Sequence, residues 1–186
     1  MNIGVGNAAG TLNEMLESHI DLDVPSIISF KLSEYKEALA DWGDDTLASV
    51  QLDFHGPFTG TSMLVFPSDS AVKLVAALTN EEPGSAGLDA VMAGTLNEVG
   101  NIVINAVMGS IGNLLENNID FSLPNYLEGK FEDLLNAKDL SEDVTVLLVQ
   151  TNFIVKNLEI NGKVFMIFKL GTFGKLLTTI DEIYCN

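Results

Sequence analysis

Residues 2–25, NIGVGNAAGTLNEMLESHIDLDVP, and residues 101–124, NIVINAVMGSIGNLLENNIDFSLP, lie over one another at a constant offset of 99 without a gap. Identical residues fall at Asn2/Asn101, Ile3/Ile102, Gly10/Gly109, Leu16/Leu115, Glu17/Glu116, Ile20/Ile119, Asp21/Asp120 and Pro25/Pro124. Similar pairs such as Thr11/Ser110 and Leu12/Ile111 extend the match. A repeat can decide an architecture before any single element is named. Further on, at offset 102, residues 66–75 (FPSDSAVKLV) lie over residues 168–177 (FKLGTFGKLL), bringing Lys73 onto Lys175 and Leu74 onto Leu176. The pentapeptide GTLNE also occurs twice, at 10–14 and 94–98. That register, at offset 84, drops Asn101 on Glu17 and Pro124 on Ala40 and loses the hydrophobic pattern, so it is a coincidence.

Each half reads as helix, extended segment, short helix, two strands and a closing helix. The first half gives a helix over 2–18, an extended segment over 20–32 that contains Pro25, and a polar stretch at 33–45 with a short helix. Strands at 47–54 and 62–66 then form a hairpin around Gly56-Pro57 and Gly60. A helix follows at 68–78 with Ser68 or Asp69 as its N-cap. The second half gives a long helix over 87–117, an extended segment near 119–127 and a helix near 130–137. Its strands at 144–155 and 163–170 meet at Asn161-Gly162, the strongest short hairpin signal, before a helix at 172–181. The expectation is an α+β fold with pseudo-twofold symmetry: one sheet of about six strands with long helices packed on it. The chain reads as one domain over 1–186, made of two repeats at about 1–80 and 86–186.

Composition narrows the function. There are 26 Asp and Glu against 9 Lys and Arg, a formal charge of −17 and a pI near 4.1, so nucleic acid is not an expected partner. All nine cations are lysines, which excludes a bidentate guanidinium clamp on phosphate within this polypeptide. With 47% apolar residues and a mean hydropathy of +0.27, the acidity sits on a hydrophobic globule rather than on a disordered tail. The start Met1-Asn2-Ile3-Gly4-Val5-Gly6 lacks a secretory pattern and no apolar run approaches a membrane span; the expectation is a cytoplasmic protein without membrane insertion. One cysteine, Cys185, and two histidines, His19 and His55, offer neither a disulfide nor a zinc ligand set, so no metal site or cofactor of the chain's own is expected. P-loop, dinucleotide and nucleophile-elbow motifs are missing. Acidic pairs such as Asp44-Asp45 and Glu81-Glu82 read as solvated loop charge.

On the long helix, Met92, Leu96, Val99, Val103 and Val107 recur at helical spacing and form the face that packs on the sheet. Opposite them stand Gly94, Glu98, Asn101 and Asn105. Residues three apart on a helix are neighbours, so Glu98 and Asn101 are expected to project together from one exposed patch. A solvated face accounts for the Glu by itself. An Asn inside a helix competes with the backbone through its own hydrogen bonds, and its recurrence with a downstream Pro in both halves asks for more than propensity.

The pattern Glu98-x-x-Asn101, 22 residues, then Pro124, inside a duplicated helix-and-strand unit, resembles the CheC/CheX/FliY family of phosphatases acting on phosphorylated CheY-type response regulators. The likeness covers nearly the whole chain, including the phrases at 2–9 (NIGVGNAA), 64–71 (LVFPSDSA) and 98–101 (EVGN). Family members usually carry Asp or Ser four residues before the Glu, where this chain has Gly94 followed by Thr95. In the first half, Asn2 and Pro25 keep the spacing, but the matching Glu falls before Met1, leaving an incomplete first site at Asn2. A helix that starts at Asn2 without a capping residue favours a missing upstream turn over a lost Glu.

The resemblance implies hydrolysis of an aspartyl phosphate on a response regulator. In that role Asn101 orients the attacking water, Glu98 anchors a lysine of the partner, and the partner holds Mg²⁺. The alternative it leaves open is a non-catalytic binding module for a response regulator, for the deamidase CheD or for a flagellar switch component. FliY carries a C-terminal switch-binding domain, and this sequence runs only to Asn186, which counts against the switch role. A monomer and a homodimer are both compatible.

Overall fold

The computed structural model describes residues 10, 13, 20–22, 26–31, 45–56, 59–83, 85–114, 118–136, 145–155 and 158–169. Among the described residues, eight strands and three helices have both ends placed, in chain order: β1 (Ile20–Leu22), β2 (Ser26–Lys31), β3 (Leu47–His55), β4 (Gly60–Pro67), α1 (Ser68–Thr79), α2 (Ala86–Leu114), β5 (Asp120–Phe121), β6 (Asn125–Gly129), α3 (Phe131–Asn136), β7 (Thr145–Val155) and β8 (Ile160–Lys169). All ladders are antiparallel and belong to one sheet, in which β7, β8, β4 and β3 are adjacent in that order. Strands β1 and β2 share the outer side of β7, and β5 and β6 share the outer side of β3. Eight strand segments therefore fill six positions, as expected from about six strands. Pro124 lies between β5 and β6, where a residue without an N–H cannot extend the ladder.

The duplication is written into the register. Leu22 lies opposite Phe153, and Phe121 lies opposite Phe54. Shifting each member of the first pair by 99 gives the second. Ser26 opposite Gln150 and Asn125 opposite Gln51 are related in the same way. At the centre, Gly60 faces Phe168 across the β4–β8 ladder, and Met63 faces Phe165 near the pseudo-twofold axis. The edge-to-face pairs Phe54–Phe168 (5.1 Å) and Phe66–Phe153 (5.4 Å) are copies of one another under this operation.

Alternation along the central strands sends Val50, Leu52, Phe54, Leu64, Phe66, Phe153, Val164, Met166 and Phe168 into one buried cluster. On it pack Ala71, Leu74 and Val75 of α1 and Leu96, Val99, Val103 and Val107 of α2. The predicted stripe of α2 is thus the buried one, with Met92 half-buried against the same cluster. Ile104 and Met108 are buried as well, so the last turns of α2 are covered over a wider arc than the stripe indicates. The reverse face of the sheet is also buried, at Leu47, Met63, Val65 and Phe165. There α3 contributes Phe131, edge-to-face with Phe165 at 5.4 Å, and Gln51 Nε2 donates to the Leu134 carbonyl at 3.3 Å.

Two local expectations are corrected. Asn161-Gly162 is not the turn between the last two strands: Asn161 pairs with Ile154 and Gly162 with Phe153, inside the ladder. The strands are joined before Ile160, and Glu159 there is left-handed, at φ 53°. Gly162 is required for space, since a Cβ there would come within 2.3 Å of the Phe66 ring. Secondly, neither Ser68 nor Asp69 caps α1. The N-cap is Pro67, without a side-chain cap bond, while the Ser68 hydroxyl donates to the Thr46 carbonyl at 2.9 Å and ties the helix start to β3. Asp69 lies in the first turn, where a negative charge suits the helix dipole, and Asn80 closes the helix in the left-handed conformation. Gly10 and Asn13 are helical, in keeping with a helix over 2–18. The rest of that helix, the short helix at 33–45 and the helix at 172–181 lie outside the described residues. No helix among the described residues is long and apolar enough to cross a membrane.

Candidate functional site

The site grows from the way α2 meets β3. Gly100 is the contact: a Cβ at this position would stand 2.4 Å from Val50 Cγ1, so the helix backbone lies directly on the strand. Leu96, Val99 and Val103, on the turns around it, are fully buried and prevent the helix from rolling. The rotation of α2 is therefore fixed at the turn that carries the motif. Glu98 is exposed, and Asn101, beside Gly100, is half-buried. The two sequence-predicted residues share one flank of one rigid helix. Asn2, the third, lies outside the described residues.

Gly94 does not disturb this arrangement. Helix α2 runs unbroken from Ala86 to Leu114, and a Cβ on Gly94 would meet nothing within 4 Å. In place of the family's Asp or Ser, the chain leaves a bare stretch of helix surface one turn before Glu98.

Two further asparagines line up with Asn101 at intervals of four. Asn105 Nδ2 donates to Asn101 Oδ1 at 2.6 Å. On the other side, Asn97 has its Oδ1 buried without a hydrogen-bond partner among the described residues. Spacing alone marks 97, 101 and 105 as one row of amides, a signal legible in the sequence; which amide bonds to which is a matter of rotamers.

Pro124 is half-buried beyond Leu123, whose side chain is 88% exposed. The preceding loop is pinned to β3: Ser122 N donates to the Asp53 carbonyl, and Asp53 N donates to Ser122 Oγ, both at 2.9 Å. The Thr61 hydroxyl in turn donates to Asp53 Oδ1 at 2.7 Å. The motif's proline thus serves the edge of the sheet. N-terminal to Glu98 along α2, Asp89, Met92 and Ala93 form a shallow cleft of about 360 Å³ with Tyr126 and Glu128 of β6. The Tyr126 hydroxyl donates to the Glu128 carboxylate. Burial, and then the bond to Glu128 and its charge, push that hydroxyl well above its ordinary range, so it stays protonated.

A family model described as Chemotaxis phosphatase CheX matches residues 48–146, a span that runs from β3 into β7 and includes the whole of α2. The chain belongs to the CheX family. Over 189 residues it is 24% identical to the CheY-P phosphatase CheC of Bacillus subtilis (strain 168), covering 96% of this chain and 89% of that one. Among solved structures, FliY of Thermotoga maritima superposes with a TM-score of 0.75 at 18% identity, covering 98% of this chain and 92% of that one. The CheX–CheY–BeF3–Mg²⁺ complex of Borrelia burgdorferi gives a TM-score of 0.58 at 20% identity, covering 89% and 96%. The α+β sheet with its helices is thus the fold of CheC, CheX and FliY relatives, and the family whose model matches is described as one of chemotaxis phosphatases.

Proposed function

We propose that this protein hydrolyses the aspartyl phosphate of a CheY-type response regulator, with Glu98 and Asn101 as the residues that act. The observation that carries this reading is their common flank: an exposed carboxylate and a half-buried amide, three residues apart, on a helix locked to the sheet through Gly100. A CheC relative named as a CheY-P phosphatase and a CheX relative solved in complex with CheY, BeF3 and Mg²⁺ support the choice of partner.

The reaction needs a water in line with phosphorus and stabilisation of the charge spread over the phosphoryl oxygens. As the water oxygen forms its bond to phosphorus, the bond to the aspartyl oxygen breaks, leaving inorganic phosphate and a free carboxylate. Asn101 has no titratable proton and takes none from the water; it orients the water with one donor and one acceptor. Positioning of this kind removes several kcal/mol from a barrier. Glu98 reaches into the partner and pairs with a lysine there, a charge-assisted contact that seats Asn101 in the phosphorylation pocket. The partner supplies the cations, Mg²⁺ included, which fits a chain of nine lysines and no arginine. CheD is a second candidate partner on the family resemblance.

Phosphate release from a phosphorylated response regulator, followed with wild type, Glu98→Ala and Asn101→Ala, tests the reading. Asn101→Ala is expected to lower kcat about 100-fold, some 2.7 kcal/mol of transition-state stabilisation, with KM little changed. Glu98→Ala is expected to raise KM about tenfold or more through the lost charged contact. Decay at the regulator's own rate with all three proteins refutes the enzyme, and a complex that forms without acceleration identifies a non-catalytic binding module.

A further inference from the structure

We infer that Asn105 is a positioning residue that sets which end of the Asn101 amide the phosphorylated partner meets. The inference rests on the proposed phosphatase reading and adds a residue to it. A carboxamide is pseudo-symmetric in shape but not in chemistry: one end donates two hydrogen bonds and the other accepts two. An exposed Asn on a helix can turn over, presenting either end. At Asn101 one sense is held, because Asn105 Nδ2 donates to Asn101 Oδ1 at 2.6 Å. Both residues are half-buried, so water competes only weakly for this bond.

The direction of the bond has a chemical consequence. Asn105 lies one turn C-terminal to Asn101, so the oxygen end of the Asn101 amide points along the helix towards its C-terminus. The Nδ2 end is turned the other way, towards the turn of Glu98, where the partner docks. One N–H donor then faces the phosphoryl oxygens, on which negative charge accumulates during transfer, and the other is left for the attacking water. Oδ1 retains one lone pair for a hydrogen of the attacking water. With the amide turned over, its oxygen would face the phosphoryl oxygens and repel them. Asn105 touches neither water nor phosphate in this scheme; it acts through Asn101.

The test uses the isosteric Asn105→Asp, in which the donor becomes an acceptor with no change in shape. The carboxylate so introduced would accept from Asn101 Nδ2 and hold the amide in the wrong sense. The expected result is a fall of about tenfold in kcat, with KM within twofold and an unchanged melting temperature. Asn105→Gln, which restores a donor on a longer arm, is expected to recover most of the rate. In the double variant Asn101→Ala/Asn105→Asp, the second change is expected to cost nothing further, since its target is gone. Wild-type kcat in Asn105→Asp, or an additional loss in the Asn101→Ala background, overturns the inference while leaving the phosphatase reading intact. A wild-type protein that does not accelerate phosphate loss overturns both. The side-chain amide resonances of the free protein give an activity-independent check: those of Asn105 should shift on Asn101→Ala, and unmoved resonances count against the bond.

Discussion

Gly94 and Gly100 stand six residues apart on α2 in opposite surroundings. The first has open space where its Cβ would be, and the second has Val50 within 2.4 Å. An alanine at 94 loses less backbone entropy on folding and meets no neighbour, so Gly94→Ala is expected to raise stability by about 0.5–1 kcal/mol, read as a higher melting temperature. An alanine at 100 must lift the helix from β3 or distort Val50, and Gly100→Ala is expected to cost about 1–3 kcal/mol. The same lift moves Asn101 relative to Glu98, so this variant should also lose phosphatase rate, whereas Gly94→Ala should keep it. The positions of Glu98 and Asn101 were legible in the sequence because a spacing of three is a property of any helix. The role of Gly100 was not, since helix period says which way a residue faces but not how close the neighbouring strand comes. Nor was the bond from Asn105 to Asn101, which depends on two side-chain rotamers.

At the level of elements, sequence reading succeeded where hydrophobic period was long and failed where one dipeptide had to locate a turn. The α2 stripe and the alternation of the central strands are repeated observations, each residue confirming the next. Asn161-Gly162 is a single signal. Gly there answers to a packing demand, the Phe66 ring across the sheet, instead of to turn geometry. The left-handed conformation falls to Glu159, a residue type that gives no warning of it. Gly162→Ala tests the distinction. Were Asn161-Gly162 a hairpin turn, the cost would arise from φ alone; in the ladder, the added methyl drives into the Phe66–Phe153 pair. We expect a loss of about 2–3 kcal/mol that Phe66→Leu partly relieves in a double-mutant cycle, because the smaller side chain makes room. Additive losses would remove Phe66 as the reason for Gly162.

Across the whole molecule, the two repeats exchange their edges. Strands β1 and β2, from the first repeat, pair with β7 of the second, and β5 and β6, from the second, pair with β3 of the first. The central ladder between β4 and β8 joins the repeats again. An isolated first repeat would therefore expose both sides of the β3–β4 hairpin and leave β2 without a partner. The apolar cluster also draws on both halves: Phe54 packs edge-to-face on Phe168 and Phe66 on Phe153. Separating the repeats exposes four of the largest buried side chains, each worth about 1.5–3 kcal/mol of burial, comparable with the stability of a whole domain. The duplication could be read from sequence, but the exchange could not, because an offset of 99 says which segments are equivalent and not which ones pair. The resulting prediction is that fragments 1–82 and 85–186 each lack a dispersed amide spectrum alone and regain one when mixed. The intact chain should unfold in denaturant as a single transition by both far-ultraviolet circular dichroism and tyrosine fluorescence. Two separated transitions, or a folded 1–82 fragment, would mean that the repeats are autonomous and that the exchanged edges contribute little.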